Sequence, residues 1–138
     1  MKNKIFLIGL VILLVSCATQ KKQTISVVKI IETTTSWNGD PLPKYPQGTP
    51  KVTVLKITIP AKTKLKKHYH PVINTGIIIK GELTVIDKSN NVLHLKPGDV
   101  IVELVNKIHF GINKRNTPVE IIVFYAGTTD LPITVLEQ

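Results

Sequence analysis

Two runs of strict alternation constrain this chain more than anything else in it. In Lys51–Ile59, Lys56 and Thr58 alternate with Leu55, Ile57 and Ile59; in Pro118–Tyr125, Glu120 is set against Val119, Ile121, Val123 and Tyr125. A period of two turns one set of side chains to a core and the other to solvent, so both runs read as half-buried strands. Between them, Ile77–Lys80 and Glu82–Ile86 flank Gly81, whose missing Cβ permits a bend in the sheet. Glu82 and Thr84 are expected outward there, Leu83 and Val85 inward. Asp87-Lys88-Ser89-Asn90-Asn91 has the chemistry of a hairpin turn, because Asn and Asp tolerate left-handed backbone angles. Val92–Leu95 returns as a strand that turns His94 to solvent, Lys96-Pro97-Gly98-Asp99 is the next turn, and Val100–Val105 is a further apolar run. No segment carries helical periodicity beyond a turn or two. Short strands at spacings of roughly eight to twelve residues predict an all-β single domain, a barrel or a sandwich.

The region before the first alternating run is different. Ile25–Ile31 is a strand candidate, whereas Thr33–Pro50 holds four prolines and two glycines and cannot be a helix or a central strand. It is a long loop containing Trp37 and Tyr45, and large aromatics in an ordered loop pack over the barrel end or touch a bound ligand.

Histidine is concentrated in one place. His68 and His70 are separated by Tyr69, so on an extended backbone their rings share a face. Neighbouring strands lie about 5 Å apart, which lets His109 join them around one ion at roughly 2.0–2.2 Å per bond. Three neutral imidazoles suit iron, zinc, nickel or copper, and the divalent candidates for a site of this kind are iron, zinc or manganese. Lys62, Lys64, Lys66 and Lys67 precede the pair, and lysines that close would oppose a cation.

The spacing of these residues resembles the cupin superfamily. Its first motif runs from a Gly through His-X-His and a Glu to a second Gly. His68, His70 and Gly81 keep that register, while Lys62 stands at the first Gly and Asn74 at the Glu. In the second motif Gly98, His109 and Asn113 keep register, and Leu104 and Asn106 replace the Pro and the Gly. The resemblance covers residues 50–126. It implies a jelly-roll barrel, a double-stranded β-helix, with His68, His70 and His109 as metal ligands and Asn74 in the place of the fourth. It also implies a homodimer.

Met1–Cys17 has the pattern of a leader. Lys2 and Lys4 precede the apolar run Ile5–Val15, which is shorter than the roughly 20 residues that span a bilayer. The run closes on Leu14-Val15-Ser16-Cys17, which resembles a bacterial lipoprotein box with Cys17 as the lipidated residue. Residues 18–24 then form a polar tether, and residues 25–138 the barrel domain. The expected location is the bacterial cell envelope, exported and lipid-anchored, on the periplasmic or outer-membrane side. Cys17 is the single cysteine, so no disulfide within the chain is available. The net charge is +9, and +7 without the two leader lysines. Arg115 is the only arginine and no aromatic stacking pattern accompanies the lysines, which argues against a nucleic-acid partner. Solubility, or attraction to anionic lipid or glycan, accounts for the excess.

Glu103 interrupts the run Val100–Val105, and a carboxylate buried without a partner costs several kcal/mol. It points out to a lysine, or it faces the cavity and supplies the carboxylate that Asn74 lacks. Three function classes follow. In an enzyme, an oxygenase or isomerase, the metal binds a small anionic or hydroxylated molecule and Asn74, Glu103 or Tyr125 handles protons or orientation. In a binding protein the same cavity captures a metal or small ligand without turnover. The third class is a metal-free interaction domain.

Overall fold

The computed structural model describes residues 24–138. The leader, Cys17 and residues 18–23 of the expected tether lie outside the described residues. Among the described residues there are nine strands: β1 (Pro50–Ile59), β2 (His68–Tyr69), β3 (Ile73–Lys80), β4 (Leu83–Asp87), β5 (Val92–Leu95), β6 (Val100–Val102), β7 (His109–Ile112), β8 (Val119–Thr128) and β9 (Val135–Leu136). They form a four-stranded sheet in the order β1-β8-β3-β6 and a five-stranded sheet in the order β5-β4-β7-β2-β9. All the strand pairs are antiparallel. The chain is all-β, a single-domain double-stranded β-helix, as its alternation requires.

The two runs that announced the fold are partners. β1 pairs along its whole length with β8, Leu55 opposite Val123 and Ile57 opposite Ile121. Val119, Ile121, Val123 and Tyr125 are all under 10% exposed, and they meet Ile59, Ile78, Leu83, Val85, Leu95 and Ile101 between the sheets. Each such side chain contributes roughly 1.5–3 kcal/mol by leaving water. Turn chemistry behaves as read: Asn90 has φ 65°, and Asp87 Oδ1 accepts hydrogen bonds from the Ser89 and Asn91 amides.

Two expectations are corrected. Ile25–Ile31 is not a strand, and Ile25 and Val27 are 94% and 87% exposed. A strand needs a ladder, and these residues pair with neither edge of the four-stranded sheet, the ten-residue β1 or the three-residue β6. On β6 the Val102 carbonyl is already taken by the Trp37 amide at 2.9 Å, and the Ser36 hydroxyl donates to the Glu103 carbonyl at 2.8 Å. Thr84 lies on the face opposite Leu83 and Val85 but is buried, because exposed His94 is its cross-strand neighbour and Nδ1 lies 3.1 Å from Oγ1. Thr33–Pro50 is the long loop expected, its two aromatics divided: Trp37 packs against the core and Tyr45 is 70% exposed.

Candidate metal centre

Strand register assembles the histidines. His68 on β2 lies directly opposite His109 on β7. His70, one residue beyond β2, forms a parallel bridge with Val105, and its carbonyl accepts the Asn106 amide at 2.8 Å. Ring centroids are 4.7 Å apart for His68 and His109, and 5.0 Å for each of the other two pairs. One ring nitrogen from each lies within 4.8 Å of the others, close to the roughly 4 Å that two metal bonds bridge.

Hydrogen bonds decide which nitrogen each ring offers. Nδ1 of His68, His70 and His109 lies 2.8, 2.7 and 2.9 Å from the carbonyls of Lys66, Ile133 and Lys107. A carbonyl accepts only, so each Nδ1 carries the hydrogen and each Nε2 keeps its lone pair, the tautomer a metal requires. Burial lowers the pKa of all three, that of His70 to about 4. At neutral pH the rings are therefore uncharged, as ligands must be.

The other candidates converge on the same place. Glu103 faces the cavity: its amide donates to the Asn74 carbonyl, and its Oε2 lies 3.4 Å from His109 Nε2. Burial raises its pKa to about 7. Asn74 is 1% exposed and pairs across the sheet with Tyr125, whose ring lies 5.7 Å from that of His70. Burial raises the Tyr125 pKa, with the Glu103 charge adding to it. His109 Nε2, Asn74 Oδ1 and the buried Glu103 Oε2 all lack hydrogen-bond partners. All three can accept, and buried acceptors without a donor are costly. A cation satisfies such a set, so the residues present fit a divalent metal. His94 stands apart, exposed on β5, and the lysines before His68 are exposed, with Lys66 alone of them reaching the cavity lining.

Sequence reasoning missed Ile133 and Thr134. The Ile133 carbonyl fixes His70, and Thr134 Oγ1 lies 3.2 Å from the same Nδ1. Nothing in a segment more than sixty residues downstream signals that contact. The cavity itself, about 320 Å³, is lined by His68, His70, Asn74, Glu103, Tyr125 and a set of aliphatic side chains.

Comparison with known proteins agrees with this fold. The cupin domain family matches residues 55–125. A chain from crystal structures of the DMSP lyases RdDddP and RnDddQII superposes with a TM-score of 0.56 at 16% identity, over 63% of this chain and 44% of that one. Oxalate oxidase in complex with glycolate gives 0.52 at 22% identity, over 62% and 45%. An uncharacterized conserved protein with a double-stranded β-helix domain from Klebsiella pneumoniae gives 0.54 at 22%, over 83% and 99%. The chain thus spans less than half the length of the lyase and the oxidase, and likeness at these identities speaks to fold alone. No curated protein matches the sequence. With the family match covering just over half of the chain and the barrel built as that family builds it, the protein belongs to the cupins.

Proposed function

We propose that this is an exported, lipid-anchored cupin of the bacterial cell envelope whose His68, His70 and His109 hold a divalent metal, iron, zinc or manganese, beside a cavity that acts on a small anionic or hydroxylated molecule. The observation that carries the reading is the shared tautomer: three neutral imidazoles, buried at His70 and His109 and half-buried at His68, each with Nδ1 bound to a carbonyl and Nε2 left free. Bound there, the metal supplies Lewis acidity, polarising an oxygen of the ligand. Three neutral imidazoles leave the ion's charge to attract an anion, opposed by Glu103 when its carboxyl is ionised. Glu103, whose pKa burial raises to about 7 in the metal-free site and which has an unpartnered oxygen in the cavity, is suited to hold or release a proton. The buried amide of Asn74 and the hydroxyl of Tyr125 orient the bound molecule. A reading as a binding protein without turnover is favoured by the aliphatic part of the lining. Lipid anchoring rests on Lys2, Lys4, Ile5–Val15 and Cys17.

The test is elemental analysis of protein purified without a metal-affinity tag, beside the His70→Ala/His109→Ala double variant. Near-stoichiometric metal, lost in the variant, supports the centre. Equal trace metal in both overturns it. Substrate turnover abolished by Glu103→Gln with metal retained separates the enzyme from the binding protein.

A further inference from the structure

We infer that the ligand of this cavity is amphipathic, with a carboxylate or similar anionic head at the histidine end and a short hydrocarbon tail lying between the two sheets. The head rests on the metal-centre reading above; the tail does not.

The cavity has two chemically distinct ends. Every polar side chain in its lining is tied to the histidines: Glu103 touches His109, Thr134 touches His70, Asn74 pairs with Tyr125 beside His70, and Lys66 lies two residues before His68. Away from that end both walls are aliphatic. Along β8 the inward side chains run from Tyr125 through Val123 to Ile121, which pairs with Ile57 on β1. Four residues of strand carry this wall about 13 Å from Tyr125. On the facing sheet, β7 follows His109 with Gly111, where an added Cβ would lie 3.2 Å from the δ-carbons of both Leu65 and Leu83. These two leucines occupy the space that a side chain at Gly111 would take, and both line the cavity.

No lining group at this end can satisfy a buried hydroxyl, so a polyol or sugar chain would lose its hydrogen bonds to water without replacement. A hydrocarbon loses nothing and gains about fourfold in affinity per buried methylene. The volume, about 320 Å³, lies at the small end of ligand sites and suits a short tail.

Isothermal titration calorimetry with the zinc-loaded full chain tests this, using butanoate, hexanoate, octanoate and gluconate. The expected result is affinity that rises about fourfold per methylene from butanoate to hexanoate, with gluconate weaker than hexanoate. A flat series, or gluconate binding at least as well as hexanoate, overturns the inference. The same titration with 1-butanol and 1-hexanol on metal-free protein keeps the two readings apart. Their per-methylene gain persists whether or not zinc loads, whereas failure to load zinc counts against the metal centre and the anionic head that rests on it. Equal affinity of the two alcohols overturns the tail site. Ile57→Phe, at a half-buried position on the cavity wall, is expected to weaken octanoate about tenfold while leaving butanoate within about twofold. Equal losses for both acids would also overturn it.

Discussion

Residues 62–81 and 98–113 are two versions of one device, a left-handed turn followed by a histidine strand, and they have drifted from the family pattern differently. The first opens on Lys62 at φ 55° and closes on Gly81 at φ 77°; the second opens on Gly98 at φ 90° and turns again at Asn106, φ 56°. Lys62 and Asn106 occupy positions where the motif has glycine, and both hold a left-handed backbone angle of the kind glycine adopts most readily. Space separates the glycines that remain. A Cβ at Gly98 would meet nothing within 4 Å, whereas one at Gly81 would lie 2.6 Å from the Pro118 carbonyl and 3.0 Å from Val119 Cα. A left-handed angle costs a side-chain-bearing residue about 1–2 kcal/mol, less for Asn, and can be absorbed. A filled site cannot. The asparagines differ in the same spirit. Asn113 is a brace, its Nδ2 donating to carbonyls of Ile59, Pro60 and Thr117 and its Oδ1 accepting from the Arg115 amide. Asn74 Oδ1 faces the cavity without a partner.

The largest effect that tests this contrast is Gly81→Ala, expected to destabilise by about 3–4 kcal/mol in urea unfolding, since strain and a backbone clash combine. Gly98→Ala should cost only about 1 kcal/mol. Equal losses at the two glycines would show that angle, not space, decides. Next comes the pH response of the metal-free protein, where one group of the first segment and one of the second oppose each other. His70, in the first, has a folded pKa of about 4 against an ordinary 6.5, so its contribution is full above 6.5 and is lost as pH falls toward 4. Glu103, in the second, is raised from 4.5 to about 7, so its contribution is full below 4.5 and is lost as pH rises through 7. Glu103→Gln should therefore make stability rise with pH more steeply, by about 3 kcal/mol across that window. An unchanged slope would mean that the carboxylate titrates as though solvated. The smallest effect is Lys62→Gly, which should stabilise by up to about 1 kcal/mol by relieving the angle, less whatever the exposed Lys62 Nζ bond to the Lys114 carbonyl contributes.

How much of this was legible depends on how local the cause is. The β1 and β8 alternation, the Asp87–Asn91 hairpin and the outward His94 are written in neighbouring residues, and the structure has them as read. The three histidines could be gathered from motif spacing because register carries side-chain direction with it. Ile25–Ile31 misled because apolar, β-branched residues state a preference, while a strand also needs a partner strand, and none pairs with this segment. The orientation of Glu103 was undecided in sequence, since an acid in an apolar run reads the same whether it faces a lysine or a cavity. The two ends of the cavity were invisible, because they arise where β1 and β8 of one sheet face Leu65 and Leu83 beside the other.

The contact between Ile133 and His70 has a practical corollary. Ile133 and Thr134 directly precede β9, which pairs with β2 at His68 and Tyr69. Proteolytic trimming beyond residue 130, or a bulky fusion packed there, would leave His68, His70 and His109 intact yet free the His70 ring to swap the nitrogen it presents. Damage at a margin of the barrel, where Leu131 and Ile133 also pack against the core, would then reach the proposed metal centre through the orientation of one ring.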